Sequence, residues 1–147
     1  MTFKRPESVL VVLYNEHAQV LVMQRDDDPD FWQSVTGTLE PSEVPLQTAY
    51  REVAEETGVI LDPTLQQIKD CRLTNQYTIR KTWLYRYPAD TKYNFEYVFA
   101  AQIPADAQIR LTEHTAYLWL DKTAAIEKVW SSTNADAIAR FVPEVSA

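Results

Sequence analysis

The chain has 147 residues, 46% hydrophobic and 24% charged, which supplies the core of one domain spanning 1–147 and leaves too little length for two. With 21 Asp and Glu against 14 Lys and Arg, the formal charge is -7, so the molecule as a whole repels a phosphate backbone and nucleic acid is not an expected partner. The longest apolar run, Val9 to Tyr14, is far short of the roughly 20 residues a bilayer demands and no apolar signal segment follows Met1, so a soluble, unexported, cytoplasmic protein without a membrane partner is expected.

Ser8 to Tyr14 and Val20 to Arg25 are β-rich segments around Asn15 to Gln19, which predicts a hairpin with a five-residue loop carrying His17. An acidic loop from Arg25 to Asp30 and a short segment from Phe31 to Thr36 follow. A helix is predicted over Ser42 to Thr57, with Ser42 as N-cap, Pro45 in the first turn and Gly58 as the stop. Leu65 to Leu73, Gln76 to Tyr87, Tyr93 to Ile103 and Ala116 to Leu120 read as strands, punctuated by Asn75, Pro88 to Asp90 and Pro104 to Asp106. Thr123 to Val129 and Asn134 to Phe141 return to helix. This order predicts an α/β (α+β) fold, a mixed β-sheet sandwiched between helices. The single Cys71 cannot form an internal disulfide and reads as a quiet packed thiol in a reducing compartment.

Only two glycines occur, Gly37 and Gly58, where average usage gives roughly ten. A glycine-rich dinucleotide or phosphate loop is therefore excluded. On the Ser42 to Thr57 helix, Leu46, Ala49, Tyr50 and Val53 define a stripe expected to face the sheet. Glu52 and Glu56 lie about 40° apart on the other side, with Glu55 beside them. Acids in the last turn oppose the macrodipole, and Glu52 and Glu56 are a like-charged i,i+4 pair. A cation should compensate them. Clustered hard oxygens suit Mg²⁺ or Mn²⁺, and Mg²⁺ commonly combines a few carboxylates with substrate phosphates.

Read outward from these acids, the sequence gives Gly37, five residues, Glu43, seven residues, then Arg51-Glu52-Val53-Ala54-Glu55-Glu56-Thr57-Gly58-Val59. This 23-residue pattern resembles the box of the Nudix hydrolases, with a chance match on the order of 10⁻⁷ or less. The resemblance implies metal-assisted attack of water on a nucleoside diphosphate linked to another group, a small-molecule substrate. It also implies Glu52, Glu55 and Glu56 as metal ligands with the Gly37 carbonyl, and Arg51 and Glu43 as an orienting pair. Glu56 is thereby a catalytic candidate.

A narrower resemblance runs through Arg25 to Gly37, Leu111 to His114, Lys4 to Pro6, Asp70-Cys71, Asn94, Glu96, Ala116-Tyr117 and Trp119 to Asp121. These are similar to the bacterial branch of the family that hydrolyses dihydroneopterin triphosphate to the monophosphate and pyrophosphate, earlier classed as acting on dATP. A broader (d)NTP pyrophosphohydrolase is the alternative, and a nucleotide sensor is disfavoured by the complete set of acids. The departures fall in Gln76 to Trp83 and around Trp130-Ser131. The resemblance implies Glu113 as a metal ligand or as the base for water, with His114 merely adjacent. Lys4 and Arg25 are phosphate candidates, Thr36 a hydroxyl donor, and Trp32, Tyr77 and Trp130 stacking candidates, although aromatics in such segments more often belong to a core. Glu96 is either a reader of ring N–H groups or part of a solvated strand face. Monomer and weak dimer both stay open.

Overall fold

In the computed structural model, which describes residues 3–144, strands β1 (Glu7–Tyr14), β2 (Val20–Arg25), β3 (Trp32–Gln33) and β4 (Val35–Thr38) precede helix α1 (Pro45–Thr57). Strands β5 (Lys69–Thr78), β6 (Tyr93–Gln102) and β7 (His114–Leu120) then lead to helices α2 (Lys122–Lys128) and α3 (Ser132–Phe141). Residues 1, 2 and 145–147, which the single-domain reading of 1–147 includes, lie outside the described part. No described helix is long and apolar enough to cross a membrane.

β1 is the spine of the sheet. It pairs in parallel with β6 along its whole length, Glu7 with Phe95 through Tyr14 with Gln102, and is apolar on both faces because helices cover both. Val9, Val11 and Leu13 pack with Ala49 and Val53 of α1, while Leu10 and Val12 pack with Ala125, Ala137 and Ile138 of α2 and α3. Each Val, Leu or Ile among them contributes about 1.5–3 kcal/mol on burial. A mixed sheet between helices is thus the observed fold.

The first hairpin is real only at its closed end, where Tyr14 meets Val20. Beyond that the strands diverge, because residues 32–38 wedge between them: β3 pairs with β2, and β4 pairs with β1. Ser34, at the joint of the wedge, belongs to neither ladder. Its amide donates to Asn134 Oδ1 at 2.8 Å, and Asn134 Nδ2 donates to Ser34 Oγ at 2.9 Å, so α3 supplies the partners the sheet does not.

Four sequence expectations need correction. The N-cap is Val44 rather than Ser42, because Pro45 takes the first helical position and holds its predecessor extended; Ser42 sits earlier at φ 69°. Leu46 is solvent-exposed, while Glu52 and Glu56 turn inward beside Ala49 and Val53, so the acids are not on a solvated face. β5 runs unbroken through Asn75 to Thr78, and Lys81–Arg86 forms a 3₁₀ turn where a strand was expected. The period-two spacing of Trp83, Tyr85 and Tyr87 imitates a strand there. Cys71 is half-buried, and burial pushes its thiol up to about 11, which keeps it unreactive.

Asn134→Ala removes both partners of a buried joint, so unfolding stability should fall by about 1–3 kcal/mol. Urea denaturation measures this. An unchanged midpoint would show that Ser34 finds equivalent partners elsewhere.

Candidate active site

The site begins with how α1 ends. Gly58 takes the left-handed conformation at φ 76°, and its N–H donates to the Ala54 carbonyl at 2.9 Å. Two further carbonyls of the last turn are taken by the loop before β7: Arg110 N donates to Thr57 O at 2.7 Å and Thr112 Oγ1 to Glu55 O at 2.8 Å. That loop carries Glu113, so the need to satisfy a helix end also brings a fourth carboxylate to the acidic cluster.

Arg51 organises the acids. Its Nε and Nη2 hold Glu43 at 2.7 and 2.9 Å, and its Nη1 reaches Glu52 at 2.5 Å and Glu55 at 3.2 Å. A last N–H, from Nη2, goes to the Thr38 carbonyl at 3.1 Å, so all five guanidinium donors are used. The Arg51 hydrogen bonds hold Glu43 down at about 2. Glu43 in turn accepts from Glu40 N and from Thr48 Oγ1, which ties the loop before α1 to the helix.

Glu56 is only 1% exposed, and neither of its carboxylate oxygens has a hydrogen-bond partner among the described residues. Burial first, then the neighbouring Glu52, raises its pKa well above the usual carboxylate range. Burial raises Glu52 as well, against the pull of Arg51. Gly37 faces this pair. A Cβ built there would collide with the Glu52 carboxyl, so only glycine lets β4 pass so close to α1.

A buried, partnerless carboxylate beside a second one is a donor set that fits a hard cation. No three His, Cys, Asp or Glu side chains among the described residues already close into a complete cage, since Glu52 and Glu55 lean on Arg51. A partial cage suits a divalent ion that draws its other oxygens from water and from substrate phosphates.

One cleft of about 870 Å³ joins this acidic end to the rest of the predicted site. Glu52, Glu55, Glu56, Glu113, Gly37, Arg51, Lys4, Arg25, Thr36, Tyr77, Glu96 and Trp130 all line it. Glu113 is exposed, and its charge is felt at Glu56. Glu43 lies behind Arg51 rather than in the cleft wall. His114 is buried, with Nε2 3.1 Å from Gln33 Nε2 and 3.9 Å from Glu56 Oε1. Burial lowers its pKa and favours the neutral ring.

Two candidates are placed differently from expectation. Trp32 does not line the cleft; pairing of Trp32 with Gln24 turns its ring into the core with Leu10, Val12 and Val98, and Lys128 Nζ covers it at 4.9 Å. Phe31 lines the cleft instead, stacked on Trp130 at 4.6 Å. The Thr36 hydroxyl spends its proton on Val9 O at 2.9 Å and so retains only acceptor capacity toward the cleft.

The sequence reading singled out none of Arg80, Trp83 and Arg86, all on the cleft wall, although Arg80 and Trp83 fall in the Gln76 to Trp83 segment where the resemblance departs and a pocket wall was expected. Arg80 lies over Trp83 and Trp130 at 4.8 and 5.4 Å, and Arg25 over Trp83 and Phe31 at 5.5 and 5.1 Å. With the Phe31 and Trp130 stack, these five side chains form a closed ring of four cation–π contacts and one aromatic stack that joins three separate chain segments. Arg25 is also held by Asp27 through two 2.7 Å bonds.

Glu56→Gln removes a buried charge that lacks a partner, so in chelator at pH 7 the variant should melt at a higher temperature than wild type. A divalent cation should raise the wild-type midpoint but hardly that of the variant. Equal rises in both proteins would place the cation elsewhere.

The pH dependence of Glu43 has a definite sign. A carboxylate depressed from an ordinary 4.5 to about 2 contributes stability that is fully present above about 4.5 and is lost as pH falls toward 2. Glu43→Gln should therefore flatten the fall in stability across that window, as read by chemical denaturation at stepped pH. A profile parallel to wild type would break the assignment of this pair as the clamp.

Comparison with known proteins agrees with this geometry. The NUDIX domain model matches residues 4–141. The chain is 44% identical over 143 residues to the dihydroneopterin triphosphate diphosphatase of Escherichia coli strain K12, covering 95% of this chain and 94% of that one. It is 36% identical over 143 residues to the protein of the same name from Haemophilus influenzae, covering 97% of this chain and 90% of that one. The solved E. coli dihydroneopterin triphosphate pyrophosphohydrolase superposes with a TM-score of 0.86 at 43% identity, over 97% of this chain and 98% of that one. A C. elegans Ap4A hydrolase shares the fold at a TM-score of 0.69 and 20% identity, over 92% of this chain and 93% of that one. Members of the matched family generally depend on divalent metal. With its complete box, its buried acid pair and a match from residue 4 to 141, this chain belongs to the Nudix family.

Proposed function

We propose that this protein hydrolyses dihydroneopterin triphosphate to dihydroneopterin monophosphate and pyrophosphate, as a single domain over 1–147 acting in the cytoplasm. The observation that carries the reading is that one cleft is lined by the acidic end of α1, by cations and aromatic rings, and by polar residues of β5 and β6. A triphosphate attached to a flat polar ring calls for that set of chemistries. The names of the near-full-length relatives agree with it.

In the reaction, water adds its oxygen to phosphorus and the bridge between the α and β phosphoryl groups breaks, releasing pyrophosphate. A divalent cation, Mg²⁺ with Mn²⁺ as substitute, supplies charge neutralisation and acidifies the water when bound. Glu52, Glu55, Glu56, Glu113 and the Gly37 carbonyl are its proposed ligands. The water's proton passes to a carboxylate of this group, Glu56 or Glu113. Arg51, with every donor spent, positions Glu52 and Glu55, and Glu43 positions Arg51. Lys4 and Arg25 face the phosphates, Lys4 as a point charge and Arg25 with whatever donors Asp27 leaves free. Phe31, Trp130 and Tyr77 offer ring faces, a role that the buried Trp32 does not fill.

Magnesium-dependent pyrophosphate release from dihydroneopterin triphosphate, measured beside the four dNTPs, tests this reading. The pterin should exceed dATP in kcat/KM by at least about tenfold. Glu56→Gln should lower turnover at least about 10²-fold, and Glu55→Gln less. Equal kcat/KM for the pterin and all four dNTPs would replace the assignment with a broad (d)NTP pyrophosphohydrolase.

A further inference from the structure

Glu96 is a second buried carboxylate in the same cleft, on β6 and away from the acidic end of α1. It is 5% exposed and lines the cleft. No Lys, Arg or His among the described residues pairs with it; its partners are neutral, Asn75 Nδ2 at 3.3 Å and the hydroxyl of Thr133 alongside. A carboxylate offers about four lone-pair directions, so Glu96 retains acceptor capacity that the protein does not fill. An ionised carboxylate in such surroundings is costly unless donors reach it.

The floor around it is built to present that group. Asn75 and Glu96 face each other in the β5 and β6 register, and Tyr77 faces Asn94 two residues along. Asn94 Nδ2 donates to both Ser8 Oγ at 2.8 Å and Tyr77 Oη at 3.0 Å, so its two N–H donors are already committed. The Tyr77 ring stands at the side of the floor, partly exposed to the cleft.

We propose that Glu96 is a specificity-determining residue that reads a ring edge carrying two adjacent N–H donors, the 2-amino-4-oxo edge common to pterins and guanine. The proposal rests on the hydrolase reading given above and deepens it. The two oxygens of a carboxylate accept in nearly parallel directions, and a ring N–H beside an exocyclic amino group donates in nearly parallel directions. The pairing is bidentate and charge-assisted. An adenine edge offers one donor and one ring acceptor, and that acceptor would face a carboxylate oxygen. Cytosine has the same mismatch, and thymine has one N–H between two carbonyls. A site built to hydrogen-bond a group rejects analogues lacking it strongly, because its own buried acceptor is left unpaired.

The test uses dGTP and dITP, which differ only in the 2-amino group, as substrates or as competitive inhibitors of dihydroneopterin triphosphate turnover. With wild-type protein and Mg²⁺, dGTP should be favoured over dITP by at least about tenfold in kcat/KM or in inhibition constant. In Glu96→Gln the gap should close. The ratio of dATP to dGTP should rise by a similar factor, because a glutamine amide presents one acceptor and one donor and so matches adenine. A merely structural role for Glu96 would lower all rates together and leave the ratios in place. The wild-type comparison tests the edge reading even where Glu96→Gln fails to fold, and Glu96→Asp, which keeps the charge but withdraws the carboxylate, then tests the residue: an unchanged dGTP to dITP ratio in it would overturn the assignment to Glu96. Equal values for dGTP and dITP alongside strong pterin turnover would overturn the edge reading alone. A clear dGTP preference alongside poor pterin turnover would overturn the pterin assignment and leave the edge reading standing.

Discussion

The cost of holding the Glu56 carboxylate out of water, with neither oxygen partnered, shapes much of this structure. Left alone, two neighbouring buried acids would push α1 away from the sheet. Three features oppose that. Val53 and Ala49 anchor the same helix in the core, and Arg51 draws Glu52 toward itself while Glu43 fixes Arg51 from outside. The missing Cβ of Gly37 leaves the space that the Glu52 carboxyl fills. The acid pair is therefore kept in place by packing on one side and by one guanidinium on the other, and Lys in place of Arg51 would offer three donors where five directed bonds are now made.

The same logic extends to the elements that are not helical. Gly58 ends α1 abruptly, and the carbonyls it leaves behind are satisfied by Arg110 N and Thr112 Oγ1. Glu113 follows at once in the chain, so its approach to the acid pair is a consequence of capping rather than a separate device. On the opposite side, the wedge of residues 32–38 forces β1 and β2 apart. That separation opens the sheet where Gln33, Thr36 and Gly37 meet the cleft, and Asn134 closes the joint from α3.

What the sequence makes legible is what chemistry forces into fixed offsets. Arg51, Glu52, Glu55 and Glu56 must share one helical patch, and Gly37 and Gly58 stand where a side chain or a right-handed backbone does not fit. The full span of β6 and the α2 and α3 pair are legible from propensity and turn residues. The burial of Glu52 and Glu56 is not, because a periodicity argument assigns acids to water and only the groove between α1 and β4 reverses that. Nor can the pattern say whether Phe31 or Trp32 enters the cleft. That choice depends on the phase set when Gln24 pairs with Trp32, a contact between strands. Arg80, Trp83 and Arg86 are hidden for a related reason: their spacing imitates a strand, and their contacts with Arg25, Phe31 and Trp130 exist only in three dimensions.

The cleft holds buried carboxylates at two places, and their surroundings separate their chemistry. Glu56 has Glu52 beside it and Glu113 in its field, so negative charge accumulates there and only a multivalent cation balances it. Glu96 has neutral Asn75 and Thr133 for neighbours, so neutral N–H donors suffice. A cation drawn to the cleft therefore settles at the α1 end, where the charge density is greater, and leaves the β6 end to a ring. Lys4, Arg25 and the aromatic and guanidinium ring of the wall line the same cleft. A cation-binding acidic end and a separate lone acid orient a triphosphate ester by electrostatics before any close contact forms, because reversing the ligand would set phosphate against Glu96.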